Sequence, residues 1–223
     1  MTNVTIPGSV TTLGDFLFAH CDNLMSITIL NGVTNTGTGM FNNCASLTSV
    51  TLPGSLTTIG LSAFYRCTSL TSITIPGNVT NILDGAFVAC FSLTGVFFKG
   101  NAPSVGAGVF DGFMASSSAI VYYLPGTTGW GATFAGRPTR LWNPLMQTSG
   151  PGFGVGPAGF GFNITGTADI PIVVEACTNL AYATWVPLQS LNLTNGAFHF
   201  SDPDLTNCAR CRSRSRKAWS NRH

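Results

Sequence analysis

The sequence predicts a mostly-β protein in two parts: a solenoid of about four 23-residue coils with short helical turns, then a small all-β, sandwich-like module. In the first half, cysteines and phenylalanines each recur at a fixed step of 23 positions. A constant period of this length is typical of solenoids, in which each coil buries its apolar side against the next. Both sets are therefore predicted to be structural core columns. They comprise Cys21, Cys44, Cys67 and Cys90, and Phe18, Phe41, Phe64 and Phe87.

The strand of each coil can be read from residues 70–75, which have the L-x-x-L-x-L spacing of a leucine-rich repeat. Alternate side chains of a strand face opposite sides. Ile73 and Ile75 are therefore predicted to point inward, and Ser72 and Thr74 outward.

The rest of each coil is predicted to be turns. Pro76-Gly77 suits a type II turn, because proline presets the first central φ and glycine accepts the positive second one. Residues 85–90 predict a single helical turn, in which Phe87 and Cys90 share a face. The residue before each cysteine varies in chemistry from coil to coil, which indicates solvent. This position holds His20, Asn43, Arg66 or Ala89.

These coils resemble the BspA-type leucine-rich repeats of bacterial surface proteins, with the pattern I-P-x-x-V-x-x-I-G-x-x-A-F-x-x-C-x-x-L-x-x-I. Residues 55–73 match this pattern closely, and the match extends over about residues 4–98. Thr36 departs from it, since other coils have an apolar residue such as Ile59 there, so the second coil is expected to pack less well. The resemblance implies a secreted or cell-surface protein that adheres to or recognises a ligand without catalysis.

Composition agrees with a surface built from hydroxyls and amides. Only 8% of the residues are charged, against about 25% in average globular chains. No run of about 18 apolar residues occurs, so no membrane span is predicted. The chain starts almost inside a repeat, without the basic and apolar segments of a signal peptide. We therefore expect it to lack the beginning of a longer protein.

The second half continues with a predicted cap, a linker, a module and a tail. The predicted divisions are 1–98 for the solenoid, 99–142 for a C-terminal capping unit, 143–159 for a Gly/Pro-rich linker, 160–207 for the small β module and 208–223 for a basic tail. Trp130, Phe134 and Trp142 are expected to cover the apolar edge of the last coil, as a strand edge left open invites pairing. Asn195-Gly196 between alternating apolar residues predicts a hairpin.

The tail has a composition unlike the rest of the chain. Its six basic residues turn a net charge of −4 over residues 1–207 into +2 overall. Arg210–Lys217 could bind nucleic acid, but no aromatic platform accompanies the charges apart from Trp219. We expect a disordered end, which a shifted reading frame would produce, and no nucleic-acid partner.

No motif predicts catalysis, a cofactor or a metal. Stacked cysteines come within disulfide range, yet equivalent side chains run parallel, so buried free thiols are the better interpretation. Cys208 and Cys211 supply at most half of the four ligands of a structural zinc site. The Gly-x-Gly-x-x-Gly at residues 154–159 lacks the strand before and the helix after it that a dinucleotide site requires.

The outward strand residues are the predicted ligand-binding surface. Regular hydroxyls on a rigid sheet can hydrogen-bond a protein or a glycan, although such residues also favour strands without any partner. The candidate residues are Ser26, Thr28, Thr48, Ser49, Thr51, Thr71, Ser72 and Thr74. The alternative function is a purely structural spacer or stalk in a larger surface protein. The ligand and the oligomeric state stay open.

Overall fold

The computed structural model describes residues 2–111, 118–156, 159–176, 186–202 and 212–214. The chain divides into two compact units, Met1–Arg140 and Leu141–His223. The predicted boundary between cap and linker, at residues 142/143, lies close to this division.

The first unit is a solenoid of short strands that alternate with turns. Its strands are β1 (Asn3–Ile6), β2 (Ser26–Ile29), β3 (Ser49–Thr51), β4 (Thr58–Ile59), β5 (Ser72–Ile75), β6 (Asn81–Ile82), β7 (Gly95–Phe98), β8 (Ser104–Val105), β9 (Ile120–Tyr123), β10 (Thr133–Phe134) and β11 (Arg137–Leu141). The second unit contains β12 (Leu145–Gln147), β13 (Gly154–Gly156), β14 (Gly159–Thr165), β15 (Pro171–Ala176), β16 (Val186–Asn192), β17 (Ala197–Asp202) and β18 (Arg212–Arg214).

Parallel pairing between coils confirms the predicted period. Ser26 is opposite Ser49, and Asn81 is opposite Ser104. One side of the solenoid carries the sheets β1-β2-β3 and β5-β7-β9-β11-β10, and another carries β4-β6-β8. The offset rises to 25 residues between β7 and β9, where Gly95 is opposite Ile120, so the regular repeat ends there.

The interior is built from the two predicted columns. The phenylalanines form a continuous stack of nearly parallel rings, and the cysteines of all but the first coil are buried beside it. Successive ring centroids from Phe18 to Phe110 lie 5.8, 5.1, 5.1 and 5.6 Å apart. Offset aromatic pairs at such distances contribute about 0.5–1.5 kcal/mol each beyond their burial.

The turn segment is not the helical turn that the sequence predicted. Val88 N–H donates to Gly85 O and Cys90 N–H donates to Phe87 O, both across three residues, as in β-turns. The N–H groups of Phe87 and Ala89 alternate with these and point to the next coil. Phe87 N–H donates to Val109 O there at 2.9 Å. A helix would direct every N–H along its own axis, whereas here alternate N–H groups extend the ladder between coils.

Thr36 in the second coil is fully buried. Its Oγ1 accepts a hydrogen bond of 2.9 Å from Gly60 N–H, so the hydroxyl has a partner. In the following coils the equivalent N–H groups donate to backbone carbonyls instead, as Leu83 N–H does to Ile59 O. Only an isolated bridge, from Asn35 to Thr58, replaces the ladder at this place. The departure from the repeat pattern thus weakens the ladder but leaves no unsatisfied polar group.

Two of the three predicted capping aromatic residues cover the last coil. Trp130 and Phe134 pack edge-on to Phe98, with ring centroids at 5.0 and 5.3 Å. Trp142 falls in the second unit, where its Nε1–H donates to Pro171 O. The assignment of Trp142 to the cap is therefore wrong.

The second unit consists of two antiparallel sheets, β12-β14-β13 with β17 beside β14, and β16-β15-β18. The predicted hairpin across Asn195-Gly196 is wrong, because β16 pairs with β15 and β17 with β14. Gly196, at φ 72°, still makes a turn, but this turn passes from one sheet to the other. Its N–H donates to Leu193 O.

Two further predictions for this unit need correction. β12 and β13 lie within the segment 143–159 and pair with β14, so this segment is not simply a linker. Within the tail predicted to be disordered, Arg212–Arg214 pairs with Val173–Glu175 of β15. The other residues of 208–223, including Cys208 and Cys211, lie outside the described residues.

Candidate recognition surface

The strand face of the solenoid carries three outward columns of side chains. Burial alternates along β2 and β5, where the isoleucines are buried and the serines and threonines between them are not. This alternation places the predicted hydroxyls on one surface. The columns are Met25, Thr48, Thr71 and Thr94; Asn3, Ser26, Ser49, Ser72 and Gly95; and Thr5, Thr28, Thr51, Thr74, Phe97 and Tyr122.

Two threonines of the first column, Thr48 and Thr94, have their hydroxyl protons engaged within the protein. Thr48 Oγ1 donates to Met25 O, and Thr94 Oγ1 donates to Thr71 O, each at 3.1 Å. Because each hydroxyl has one proton and two lone pairs, these threonines present mainly acceptor capacity to solvent.

The third column has hydroxyls without such engagement. Thr28, Thr51 and Thr74 make no side-chain hydrogen bond among the residues that the structure describes. They can therefore both donate and accept. The column ends in Phe97 and Tyr122, whose rings stack at 4.8 Å and are only 8% and 5% exposed. A Cβ on Gly95 would lie 2.9 Å from the Phe97 ring, so a glycine is needed beneath this pair.

The cysteine column belongs to the core and not to a reactive site. All four thiols are free, and Cys44, Cys67 and Cys90 are buried. The Sγ of Cys67 donates to Phe41 O of the preceding coil at 3.2 Å, and Cys44 and Cys90 repeat this contact. Burial raises the pKa of Cys44 from 9.0 to about 11 and that of Cys90 to about 12. Since the thiolate is the reactive form, these groups are inert at neutral pH.

The variable position before each cysteine shares a backbone conformation, which sequence reasoning missed. His20, Asn43, Arg66 and Ala89 all have φ of 58–59°. Ala89 is also buried, so the inference of solvent does not hold throughout this position. Asn43 could have predicted this conformation, because asparagine is enriched in the left-handed region.

Other groups with possible chemistry do not assemble into a second site. His199 on β17 donates from Nδ1 to Asn163 Oδ1 at 2.7 Å, and Asn163 Nδ2 donates to Pro151 O. Across the described ranges, His, Cys, Asp and Glu form no group of three placed to hold a metal ion. Nor does any helix there have the length and hydropathy to cross a membrane.

Parallel strands in 23-residue register over a phenylalanine stack define a leucine-rich-repeat solenoid. Residues 1–115 match the BspA type leucine-rich repeat region, with six copies of the repeat. As this match covers more than half of the 223 residues, the chain belongs to the BspA-type leucine-rich-repeat family.

The solved structures that are similar to this chain include three leucine-rich repeat proteins, whereas no curated protein matches it. A leucine-rich repeat protein of T. pallidum is 27% identical over 54% of this chain and 57% of its own, with a TM-score of 0.49. A leucine-rich cell surface protein of Faecalibacterium prausnitzii is 26% identical over 53% of this chain and 35% of its own, with a TM-score of 0.44. A leucine-rich repeat protein of Bacteroides ovatus is 27% identical over 64% of this chain and 42% of its own, with a TM-score of 0.46. The chain thus spans less than two thirds of each.

Proposed function

We propose that this chain is a non-catalytic recognition and adhesion module of a bacterial secreted or cell-surface protein. It binds a protein or a glycan through the strand face of the repeats. Membership of the BspA-type family supports the surface location and the absence of catalysis.

The observation that carries the proposal is the register of the outward hydroxyls. Ser26 is opposite Ser49, and Thr28 is opposite Thr51, so the same hydroxyl groups recur on these two paired coils. Backbone ladders on several sides of the coil hold these groups in place. A preorganised surface loses little conformational entropy on binding, which favours affinity.

The test is to block the face with lysines while the solenoid stays folded. Thr48→Lys, Thr71→Lys and Thr74→Lys combined place three long charged side chains on adjacent coils, where they should abolish binding. Thr48 and Thr71 are exposed and Thr74 is half-buried, so the substitutions at Thr48 and Thr71 should change stability by only about 0.5 kcal/mol each. Binding is measured on glycan arrays and by pull-down from candidate protein mixtures, with the full chain.

A matched control carries the same three changes on another side of the solenoid. Thr34, Thr57 and Thr80 are also exposed and 23 residues apart, but they adjoin the sheet β4-β6-β8. Their lysine variant should bind as the wild type does. Equal binding by the strand-face variant, with unchanged thermal melting, would place the site elsewhere. If the wild type binds nothing in either screen, the spacer function is supported instead.

A further inference from the structure

The first coil, residues 2–24, exposes apolar side chains whose equivalents in the second coil are buried. Leu17 is 51% exposed, whereas Met40 and Ala63, its equivalents in the next two coils, are fully buried. The first members of four other inward columns are only half-buried, although the second coil buries each equivalent residue. These first members are Val10, Leu13, Phe18 and Cys21. Together with Leu17 they form the side of the first coil that lies away from the second, which we call the open face.

The strand at the rim of the open face has free backbone donors. β1 is the edge strand of its sheet. In the next coil, Ser26 N–H donates to Thr2 O of the coil before it. Asn3 is the equivalent of Ser26, and residues two apart on a strand direct their backbone groups to the same edge. The N–H groups of Asn3 and Thr5 therefore point away from β2.

The turn at the opposite rim has free backbone acceptors. In each turn, N–H groups donate to the following coil, as Phe18 N–H does to Met40 O at 2.9 Å. Leu17 O is the equivalent of Met40 O, and Asp15 O and Ala19 O occupy the alternate positions on either side of it. Within the described part of the chain, none of these three carbonyls accepts a hydrogen bond. The open face thus combines donors on one rim, acceptors on the other and an apolar centre.

The coil interfaces of this solenoid show what such a face binds. At each one, the preceding coil supplies strand carbonyls to the donors and turn N–H groups to the acceptors. It also supplies a phenylalanine ring, at 5.1–5.8 Å between centroids. We propose that the open face docks a leucine-rich coil of a different polypeptide. The strand of that coil extends the sheet at the edge of β1, and its phenylalanine stacks on Phe18, so the docked coil continues the interface that joins the coils of this chain.

Other occupants match the open face less well. The last coil of a second copy is covered by Trp130 and Phe134, which pack on Phe98. Two open faces with their β1 strands paired would bring turn carbonyls against turn carbonyls, without a donor between them. An apolar partner with no free backbone groups would bury the donors and acceptors unpaired, which costs free energy. The partner is therefore a coil of the same kind whose far side is uncovered.

The test supplies such a coil as a peptide to the full chain. Two labelled peptides are used, with the sequences of residues 48–70, one complete coil, and 25–70, two coils. Fluorescence anisotropy at nanomolar peptide, which limits stacking of the peptides on one another, should show saturable binding of one peptide per chain. The two-coil peptide should bind more tightly, because its first coil preorganises the second. Scrambled sequences should not bind, and failure of both native peptides to bind would overturn the proposal.

Substitutions in the full chain locate the docked peptide. Leu17→Glu places a charge in the apolar centre and should weaken binding on the order of 10-fold or more. The matched control is Leu61→Glu, at a leucine of the third coil that is 43% exposed, and its affinity should be unchanged. Thermal melting establishes that both variants are folded. Unchanged affinity of the folded Leu17→Glu variant would refute the assigned surface.

A second pair of variants tests the hydrogen bonds at the edge of β1. Thr5→Pro removes an outward N–H, which an edge strand tolerates, and should weaken binding on the order of 10-fold. Thr5→Ala keeps this N–H and should bind the peptide as the wild type does. Hydrogen exchange should slow on binding within residues 2–24 and not in later coils. Equal affinity of the two folded variants would contradict pairing at this edge.

The outcomes also separate this inference from the proposed strand-face function. The triple lysine variant of the strand face should bind both peptides normally, so either proposal can fail alone. Loss of peptide binding in that variant, while it is folded, would place the docked coil on the strand face and overturn the present proposal. Dimerisation of the chain in analytical ultracentrifugation, abolished by Leu17→Glu, would make a second copy the occupant and overturn it as well.

Discussion

At the scale of single residues, the repeat depends on a backbone conformation that most side chains disfavour. Each turn segment has a left-handed residue before the cysteine and another four positions earlier, as at Ala89 and Gly85. Glycine adopts this conformation freely, whereas other residues lose roughly 1–2 kcal/mol. The ladder hydrogen bonds around these positions offset that cost, as with Ala89 N–H to Asp111 O at 2.8 Å.

The cost can be measured at Arg66, which is exposed and has φ of 58°. Arg66→Gly should be more stable than Arg66→Ala by about 1 kcal/mol, because both remove the guanidinium but only glycine relieves the strain. Chemical denaturation gives the two free energies of unfolding. The opposite order is expected at Ala86, a buried residue in an ordinary conformation, where glycine should cost about 1 kcal/mol. Equal stability of the two Arg66 variants would show that the positive φ at this position costs no free energy.

The buried thiols predict alkaline instability. The folded state raises the pKa of Cys44 and Cys90 above 9.0, and that of Cys67 as well, through burial. The folded protein thus holds these protons more tightly than the unfolded chain. Their stabilisation is complete below about pH 9 and is lost as the pH rises towards 11–12, by roughly 1.4 kcal/mol per unit for each thiol.

Denaturation midpoints from pH 8 to 11 check this expectation. The triple variant Cys44→Ala, Cys67→Ala and Cys90→Ala should show a flatter decline over this range, although it is less stable at pH 8. Parallel curves for the two proteins would mean that the thiols do not titrate on unfolding in this way.

The phenylalanine column is expected to contribute more to the free energy of unfolding than the cysteine column. Phe64→Ala should cost about 3–5 kcal/mol, as it leaves a cavity between two stacked rings. Cys67→Ala should cost only about 1 kcal/mol, because it removes one small buried atom and its weak hydrogen bond. Equal losses on thermal or chemical unfolding would contradict the packing described for the column.

At the scale of elements, periodicity in the sequence predicted what depends on side-chain burial. The strands around Ile27 and Ile73, their register and the phenylalanine stack follow from one pattern of apolar positions. What it missed depends on backbone hydrogen bonding. The turn around Phe87 reads as helical because residues three apart share a face in both structures, while the direction of each N–H leaves no mark in the sequence.

Strand pairing in the second unit was missed for a similar reason. Asn195-Gly196 indicates a tight turn, and the turn is present. Whether the following strand returns beside the preceding one depends on which partner buries its apolar side chains. Here Phe162 and Phe200 meet across β14 and β17, with ring centroids at 5.1 Å. The outward face of the solenoid was predictable as a surface, but its division into engaged and free hydroxyls was not.

Thr36 shows how one element tolerates a break in the pattern. Thr36→Val would place a better apolar side chain in the core, yet it should cost about 1–3 kcal/mol, since Gly60 N–H would lose its acceptor. Thr36→Ser keeps the hydroxyl, loses one methyl and should cost about 1 kcal/mol. Chemical denaturation of both variants separates the cost of the lost hydrogen bond from the cost of the lost methyl group. A valine variant as stable as the wild type would show that the hydroxyl does not stabilise the fold through Gly60 N–H.

At the scale of the whole molecule, the first unit is a chain of nearest neighbours. Each coil packs on the one before and the one after, so stability is close to a sum of coil and interface terms. A local loss, such as the weakened ladder at Asn35, is therefore confined to one interface. The same organisation lets the outward columns repeat without change over several coils, which a globular core with many crossing contacts does not allow.

The direction of the ladders also has a mechanical consequence. In the strands, N–H groups donate to the preceding coil, as Thr48 does to Met25, and in the turns they donate to the following coil, as Phe64 does to Ala86. Both sets lie along the axis, so a pull on the two ends loads the coil interfaces in series, and they should break one at a time. Each rupture should release a coil of 23 residues, or about 75 Å of extended chain. Single-molecule stretching should therefore record a sawtooth with this step, and the extension should be recovered coil by coil when the force is released.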